Sequence, residues 1–410
     1  MIQLSEIRQH FPALNRTENG LPVAYFDGPG GSQVAQPVID AIVAYMTNGG
    51  ANLHGEFATS KETEQCIDRA RQAIADLVGA KPTEVAFGQN STSLMFAVAR
   101  ALSRTWTNED NIVLSEIDHR SNVDSWITAA QDKNTNVRFI PVDTNTLSLD
   151  ISELSELIDS NTKIVAVSLA SNVIGTITDV APIVKRAREV GAIVIVDAVH
   201  AVPHFAVDFH TLDVDILFCS TYKFFGPHLG VAVIKEALFD SLNVYKLKPA
   251  PSYFPDKLET GTQNHESIAS LESLVEFIAS FGNGNNRREK IVSAYEVIEK
   301  HEKVLDQRLR GALGEIPEVT LYQSPYAKTP TIAFRIEKID PISFCQQMAS
   351  RYSIYIASGD FYATTLCDKL GITEKGGFIR AGLAPYNTEQ EIDRLISATQ
   401  AIIEAAQITK

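Results

Sequence analysis

Between about residues 34 and 240, two apolar rhythms alternate along the chain. Segments such as QPVIDAIVAYMTN, ETEQCIDRARQAIADLVGA, STSLMFAVARALSRTW and APIVKRAREVGA repeat apolar residues every three or four positions, the spacing of a helix with one buried face. Between them lie short β-branched runs of strand length: EVAFGQN, NIVLSE, VRFIPV, KIVAVSLAS, AIVIVDA, DILFCS and GVAVIK. Continuous apolar strands alternating with amphipathic helices predict an α/β fold, a mainly parallel sheet covered on both faces. DILFCS and GVAVIK are joined by too short a loop for a parallel crossover, so they should pair antiparallel or lie apart. After residue 265 the rhythm changes. Long helical stretches lead to VTLYQ, TPTIAFRI, helix PISFCQQMASRY, strands IYIAS and GFIRAGLA, and a last helix, TEQEIDRLISATQAIIEAA. That order suits a smaller α+β domain.

The expected division is residues 1–20 as a segment packing with the small domain, 21–265 as the large domain, and 266–410 as the small one. The start, MIQLSEIRQHFPAL, reads as a short amphipathic helix without the basic and apolar regions of a signal peptide.

Bulk properties narrow the function. The 410 residues favour two domains, and 45% hydrophobic with 21% charged residues is ordinary for a globular chain. A formal net charge of −14 argues against nucleic acid or an anionic membrane as partner. No apolar run reaches the length of a membrane span, so a cytoplasmic location is expected. The four cysteines are far apart and form no metal-ligand spacing, so no metal site is expected.

The chemistry concentrates at predicted strand ends. Asp197 closes the run AIVIVD, and Lys223 follows DILFCS in a turn with Ser220, Thr221 and Gly226. Ligands bind at the carboxyl edge of open α/β sheets. An amine and a carboxylate there suit pyridoxal 5'-phosphate (PLP): the lysine takes the aldehyde as a Schiff base, and the aspartate keeps the ring nitrogen protonated. A surface lysine beside a strand-end aspartate of a nucleotide-binding sheet is the competing reading. In FGQNSTS, Asn90, Ser91 and Thr92 open a helix, where free N–H groups attract phosphate; an ordinary N-cap uses the same residues. GPGG (28–31) reads as a tight turn that could line a ligand site. His119 follows a strand and could stack on a flat cofactor. Asn172 sits where an amide could meet a phenolic oxygen, or shape a turn. Arg380, on a small-domain strand, could hold a carboxylate or a structural ion pair.

Together these motifs resemble the class V aminotransferase family of PLP enzymes, in its cysteine desulfurase-like (selenocysteine lyase-like) branch. The resemblance runs from AYFDGPGG to GLAPYNTEQEIDRL. It rests on DAVH (197–200) as the Asp-x-x-(His/Gln) element, STYK (220–223) as the Schiff-base element, and ETGTQN (259–264). It implies a fold-type I PLP-dependent transferase with a mainly parallel seven-stranded sheet. Lys223 is then the Schiff-base lysine and Asp197 the partner of the ring nitrogen, with His119 on the ring. Asn172 and His200 meet the ring oxygen. Ser91, Thr92 and Ser220 hold the phosphate, with Tyr222 beside them. Thr262 comes from the second chain of a homodimer, and Arg380 binds the α-carboxylate. Two departures stand out. Tyr222 precedes the lysine where desulfurases carry His. Tyr362, in IASGDFYATTLCDKL, occupies the place of the nucleophilic Cys, and Cys367 lies five residues on.

The resemblance implies an enzyme acting on a small amino acid. β-Elimination of a C–S or C–Se bond is the first expectation; an aminotransferase or epimerase is the alternative. A non-catalytic PLP-fold binding protein is a third reading, which the intact Lys223 and Asp197 oppose. A sulfur-acceptor protein is a partner only for a desulfurase.

Overall fold

The structure, a computed structural model, describes residues 4–408. Seven strands form the large sheet: β1 (Val85–Gly88), β2 (Asn111–Ser115), β3 (Asn136–Ile140), β4 (Thr162–Ser168), β5 (Ile193–Asp197), β6 (Ile216–Ser220) and β7 (Gly230–Ile234). Their spatial order is β1-β7-β6-β5-β4-β2-β3. β7 runs antiparallel to both β6 and β1, as the short connection from β6 requires, and the other pairings are parallel. β2, β6 and β7 are buried at every position, which is why they read as unbroken apolar runs rather than alternating ones. The chain steps outward from β2 to β3, then returns on the other side of β2 to form β4. The carboxyl ends of β2, β4, β5 and β6 therefore meet where the strand order reverses, the place at which open α/β sheets bind ligands.

A second sheet is antiparallel, with strands Val319–Tyr322, Thr331–Ile336, Phe378–Gly382 and Ala357–Gly359 in that spatial order. Helices Pro341–Tyr352 and Glu389–Ile408 contribute Phe344, Met348, Ile392 and Leu395 to its core. The run IYIAS splits in two: Ile354–Tyr355 leaves the second sheet and pairs in parallel with Ala24–Tyr25.

Packing departs from the expected division at two places. Helices His265–Ala269 and Leu271–Ala279 bury Ile268, Leu271, Leu274 and Phe277 in the core of the large sheet. The helix Arg287–Gly314 belongs to both cores: Ile291, Ala294, Tyr295 and Ile298 pack with the first, Leu305, Leu309 and Leu313 with the second. The change of rhythm at residue 265 marks a change of local structure, not of core, and we propose that the division falls inside this helix. The N-terminal segment also differs from expectation. Met1, Ile2 and Gln3 lie outside the described residues. Two 3-10 segments, Leu4–His10 and Pro12–Asn15, stand in place of one amphipathic helix. Proline at 12 cannot continue a helix interior. Ile7, Phe11 and Leu14 join the large core, Phe11 meeting Phe225, Phe277 and Tyr386 edge-on. The polar residues of the segment reach the second unit: Arg8 pairs with Glu391 at 3.0 Å, and Glu18 and Asn19 bond Ser353 and Ser350. The segment therefore bridges the two units, with its apolar side in the large one.

Among the described residues no helix is long and apolar enough to cross a membrane, and no cluster of three or more His, Cys, Asp or Glu could hold a metal ion.

Candidate active site

A cavity of about 350 Å³ opens at the carboxyl edge of the large sheet. It gathers Ser91, Thr92, His119, Asn172, Asp197, His200, Ser220, Tyr222, Lys223 and Arg380, which sequence reasoning had singled out one by one. Thr262 is not among them; it lines a separate cleft with Gln89, Ser93 and His228.

Asp197 ends β5 and is buried, its Oδ1 accepting the Val199 backbone N–H at 2.9 Å. Burial, reinforced by the nearby Asp118 charge, pushes its carboxyl up to about 7. Asp118 sits deeper. It accepts hydrogen bonds from Ser115 Oγ, Asn122 Nδ2 at 2.7 Å, and the Ser168 backbone and hydroxyl at 3.0 and 2.7 Å. That network ties the ends of β2 and β4 together under the cavity floor.

Lys223 lies in the turn that leaves β6, over residues Thr221–Lys223. Its Nζ donates to the Pro29 carbonyl and stands 4.7 Å from the centre of the Tyr222 ring. Burial, then the positive charge of Arg380, lowers the amine to about 7. A buried amine that sheds its proton near neutrality can act as nucleophile and base. Tyr222 stacks on His228 with ring centres 4.9 Å apart.

His119 follows β2 in the turn before helix Ser121–Gln131. Its Nδ1 accepts the Ser121 backbone N–H at 3.1 Å, which leaves the hydrogen of the neutral ring on Nε2. Burial, with the charges of Lys223 and Arg380, lowers it to about 4, so the ring is neutral at pH 7. His200 is buried, its Nε2 within 3.1 Å of the Thr329 hydroxyl and 2.9 Å of the Thr331 hydroxyl. Burial and the neighbouring His204 hold it well below the usual imidazole range.

Helix Ser91–Leu102 points its first turn at the cavity, with Asn90 capping the Ser93 N–H at 2.8 Å. Ser91 Oγ lies 2.7 Å from both Ser220 Oγ and the Cys219 carbonyl, so the two serines share one hydrogen-bonded corner. Arg380, on strand Phe378–Gly382, donates from Nη1 to the Asn172 carbonyl at 2.9 Å and from Nη2 to Asp27 Oδ1 at 2.7 Å. Asn172 Nδ2 donates to the Phe361 carbonyl at 2.9 Å.

Several lining residues escaped the sequence reading, among them Asp27, Ser121, Ser168 and Phe361. GPGG had marked the turn at 28–31 without its preceding aspartate. The sequence distance from Asp27 to Arg380 hides their contact entirely. No cysteine lines the cavity among the described residues. Cys367 is buried in helix Thr364–Lys369 among Leu366, Ile372 and Phe378, its thiol pushed up to about 12 by burial and two nearby aspartates.

The family model "Aminotransferase class-V" matches residues 24–395. The chain belongs to the aminotransferase class-V family. It is 28% identical to a cysteine desulfurase of Enterobacter sp. (strain 638), covering 97% of this chain and 98% of that protein. It is 29% identical to a cysteine desulfurase of Pectobacterium atrosepticum, with the same coverage. Among solved structures, the cysteine desulfurase CsdA of Escherichia coli superposes with a TM-score of 0.87 at 25% identity, and a cysteine desulfurase of Thermococcus onnurineus NA1 with 0.86 at 26%; each comparison covers 99% of both chains. The fold is that of fold-type I PLP enzymes, and this member of the class-V family is a PLP-dependent enzyme.

The residues present fit that cofactor. A neutralisable amine and a buried carboxylate face one cavity beside an open helix N-terminus. Asn172 Oδ1 is buried without a hydrogen-bond partner, an acceptor left for a ligand to satisfy.

Proposed function

We propose that this enzyme cleaves the C–S or C–Se bond of a small cysteine-like amino acid by β-elimination, without passing sulfur to a cysteine of its own. The observation that carries the reading is one cavity holding Lys223, Asp197 and Arg380 with Tyr362 at its lining and no thiol. The relatives named cysteine desulfurase support the substrate class.

In this reading Lys223 would hold the cofactor through its amine and would be the base that takes the substrate's Cα proton. PLP, when bound, supplies an electron sink for the carbanion formed at Cα. Asp197 would hold the ring nitrogen, whose positive charge would offset the cost that burial places on an isolated carboxylate. His119, neutral at pH 7, would stack on the ring. Asn172 and His200 would contact the ring oxygen. Ser91, Thr92 and Ser220 receive the phosphate at the helix N-terminus, with Tyr222 alongside. Thr262 reaches the site of a second copy in a homodimer. Arg380 fixes the substrate carboxylate. With the Cα proton gone, the C–S bonding pair leaves with sulfur; cysteine and water become pyruvate, ammonia and sulfide. A sulfur-acceptor protein has no role unless an enzyme persulfide forms.

The test incubates the purified holoenzyme with L-cysteine and L-selenocysteine and identifies products. Pyruvate with sulfide or selenide supports the lyase. Alanine with an enzyme persulfide replaces it with a desulfurase. A keto acid with loss of the visible band indicates an aminotransferase, and racemised amino acid an epimerase.

A further inference from the structure

Arg380 is already engaged. Its Nη1 is turned to the Asn172 carbonyl and its Nη2 to Asp27, while its guanidinium carbon lies 3.7 Å from the centre of the Phe361 ring. Nε is buried without a partner. Carboxylates hold guanidinium groups best through two parallel N–H bonds. With Nη1 committed to a backbone carbonyl, the edge left for a carboxylate is Nε with Nη2, and Asp27 holds Nη2.

The two partners differ in their freedom to leave. The Arg380 side chain is 3% exposed and the Asp27 side chain 42%. Asp27 can turn into water, where an exposed ion pair is worth little. Arg380 cannot. If Asp27 stayed when a substrate arrived, two carboxylates would share one buried guanidinium, with the Asp197 carboxyl lining the same cavity. Like charges in so dry a site are costly. Asp27 also fits its seat closely: a Cβ at Gly30 would stand 2.2 Å from Asp27 Oδ2. The missing side chain at position 30 is what lets the carboxylate lie against the arginine.

We propose that Asp27 is an internal stand-in for the substrate carboxylate, holding Arg380 ready and being displaced when the ligand's carboxylate takes the Nε–Nη2 edge. Asp27 then sets how tightly the enzyme accepts a monocarboxylate. The proposal rests on Arg380 as the carboxylate site of the proposed lyase. It has a consequence for Lys223. The turn Gly28–Gly30 presents Asp27 to Arg380 and the Pro29 carbonyl to the Lys223 amine, so carboxylate arrival at one cation is felt at the other.

Propionate carries the carboxylate but no amine, so its binding is read without chemistry. Its dissociation constant is measured by NMR titration on the holoenzyme and on protein freed of cofactor. Asp27→Asn should tighten propionate by about fivefold, the upper worth of a half-exposed ion pair. Gly30→Ala, which expels the carboxylate without removing its charge, should do the same and carries the test if Asp27→Asn does not fold. Arg380→Gln should lose saturable binding. Unchanged or weaker binding in the first two variants, with loss in Arg380→Gln, overturns the displacement and leaves Arg380 as the carboxylate site. Unchanged binding in Arg380→Gln overturns both.

Discussion

The phenol ring of Tyr362 lies across the imidazole of His119, ring centres 5.2 Å apart and planes 33° from parallel. Tyr362 and its neighbour Phe361 both have left-handed backbone angles, φ 59° and 52°, unusual for bulky side chains. The surroundings hold them there: the Arg120 N–H donates to the Tyr362 carbonyl at 2.7 Å, and Asn172 to that of Phe361. Two aromatic rings, one over His119 and one over Arg380, therefore line the cavity at the loop where the resemblance expects a thiol. Cys367, behind them, is protonated at neutral pH. Cys367→Ser should retain most turnover. Activity assays paired with mass spectrometry check this; a persulfide on Cys367 that disappears together with activity in the variant would restore the desulfurase.

Lys223 should behave as a base near neutrality. Its amine is lowered from 10.5 to about 7, so it is neutral above that pH and protonated below it. In protein without cofactor, labelling of Lys223 by an amine-reactive ester, followed by peptide mass spectrometry, should rise through pH 7 instead of about pH 10. Lys223→Ala should remove the visible absorption band of the holoenzyme and leave the circular dichroism spectrum unchanged. A persistent band in that variant refutes the covalent role.

Asp197 illustrates a charge kept at the expense of stability. Its folded value is raised to about 7, against about 3.9 for an unperturbed Asp. The folded state therefore binds more protons than the unfolded one between these values. Stability falls as pH rises through that window, and the penalty is complete above pH 7. Asp197→Asn should stabilise the cofactor-free protein by up to about 4 kcal/mol above pH 7, and hardly at all at pH 4. Melting curves at pH 4 and pH 8 measure the difference. Turnover should drop by about 100-fold or more, because the carboxylate acts on charge that develops during reaction. A variant that is no more stable at pH 8 than the parent contradicts the burial argument.

Thr262 stands outside the cavity of its own chain. If it completes a neighbour's phosphate site, a mixed dimer of Lys223→Ala and Thr262→Ala chains contains one site with both residues intact. Co-expression of two inactive chains should then recover part of the parent activity. Complementation assays on the purified hybrid check it; no recovery from verified hybrids removes Thr262 from the shared site.

The parts of this site that could be read from the sequence are those set by local rules. Asp197 and Lys223 follow unbroken apolar runs, and a strand's carboxyl end is a position that topology turns into a binding edge. Ser91 and Thr92 were legible because a helix start has its own composition. Asp27, Asp118 and Phe361 were not, because nothing in their neighbourhood announces a partner on the far side of the fold; Asp27 meets Arg380 across 353 residues. Asp118 takes one of its four hydrogen bonds from a helix a turn away and three from the ends of two strands, Ser115 and Ser168, that only the folded sheet brings together. The division of the cores was hidden for a related reason. Helical periodicity shows which face of Arg287–Gly314 is apolar, but not that successive turns of that face meet different sheets.

That shared helix has a mechanical consequence. Its first half cannot loosen without exposing Tyr295 and Ile298 of one core, nor its second half without exposing Leu305 and Leu309 of the other. A continuous hydrogen-bonded rod joins the two halves. The lysine side of the cavity and the arginine side thus stand on one beam. Any rocking of the small unit against the large one would have to bend this helix or slide it against one of the two cores, at the cost of exposing apolar side chains.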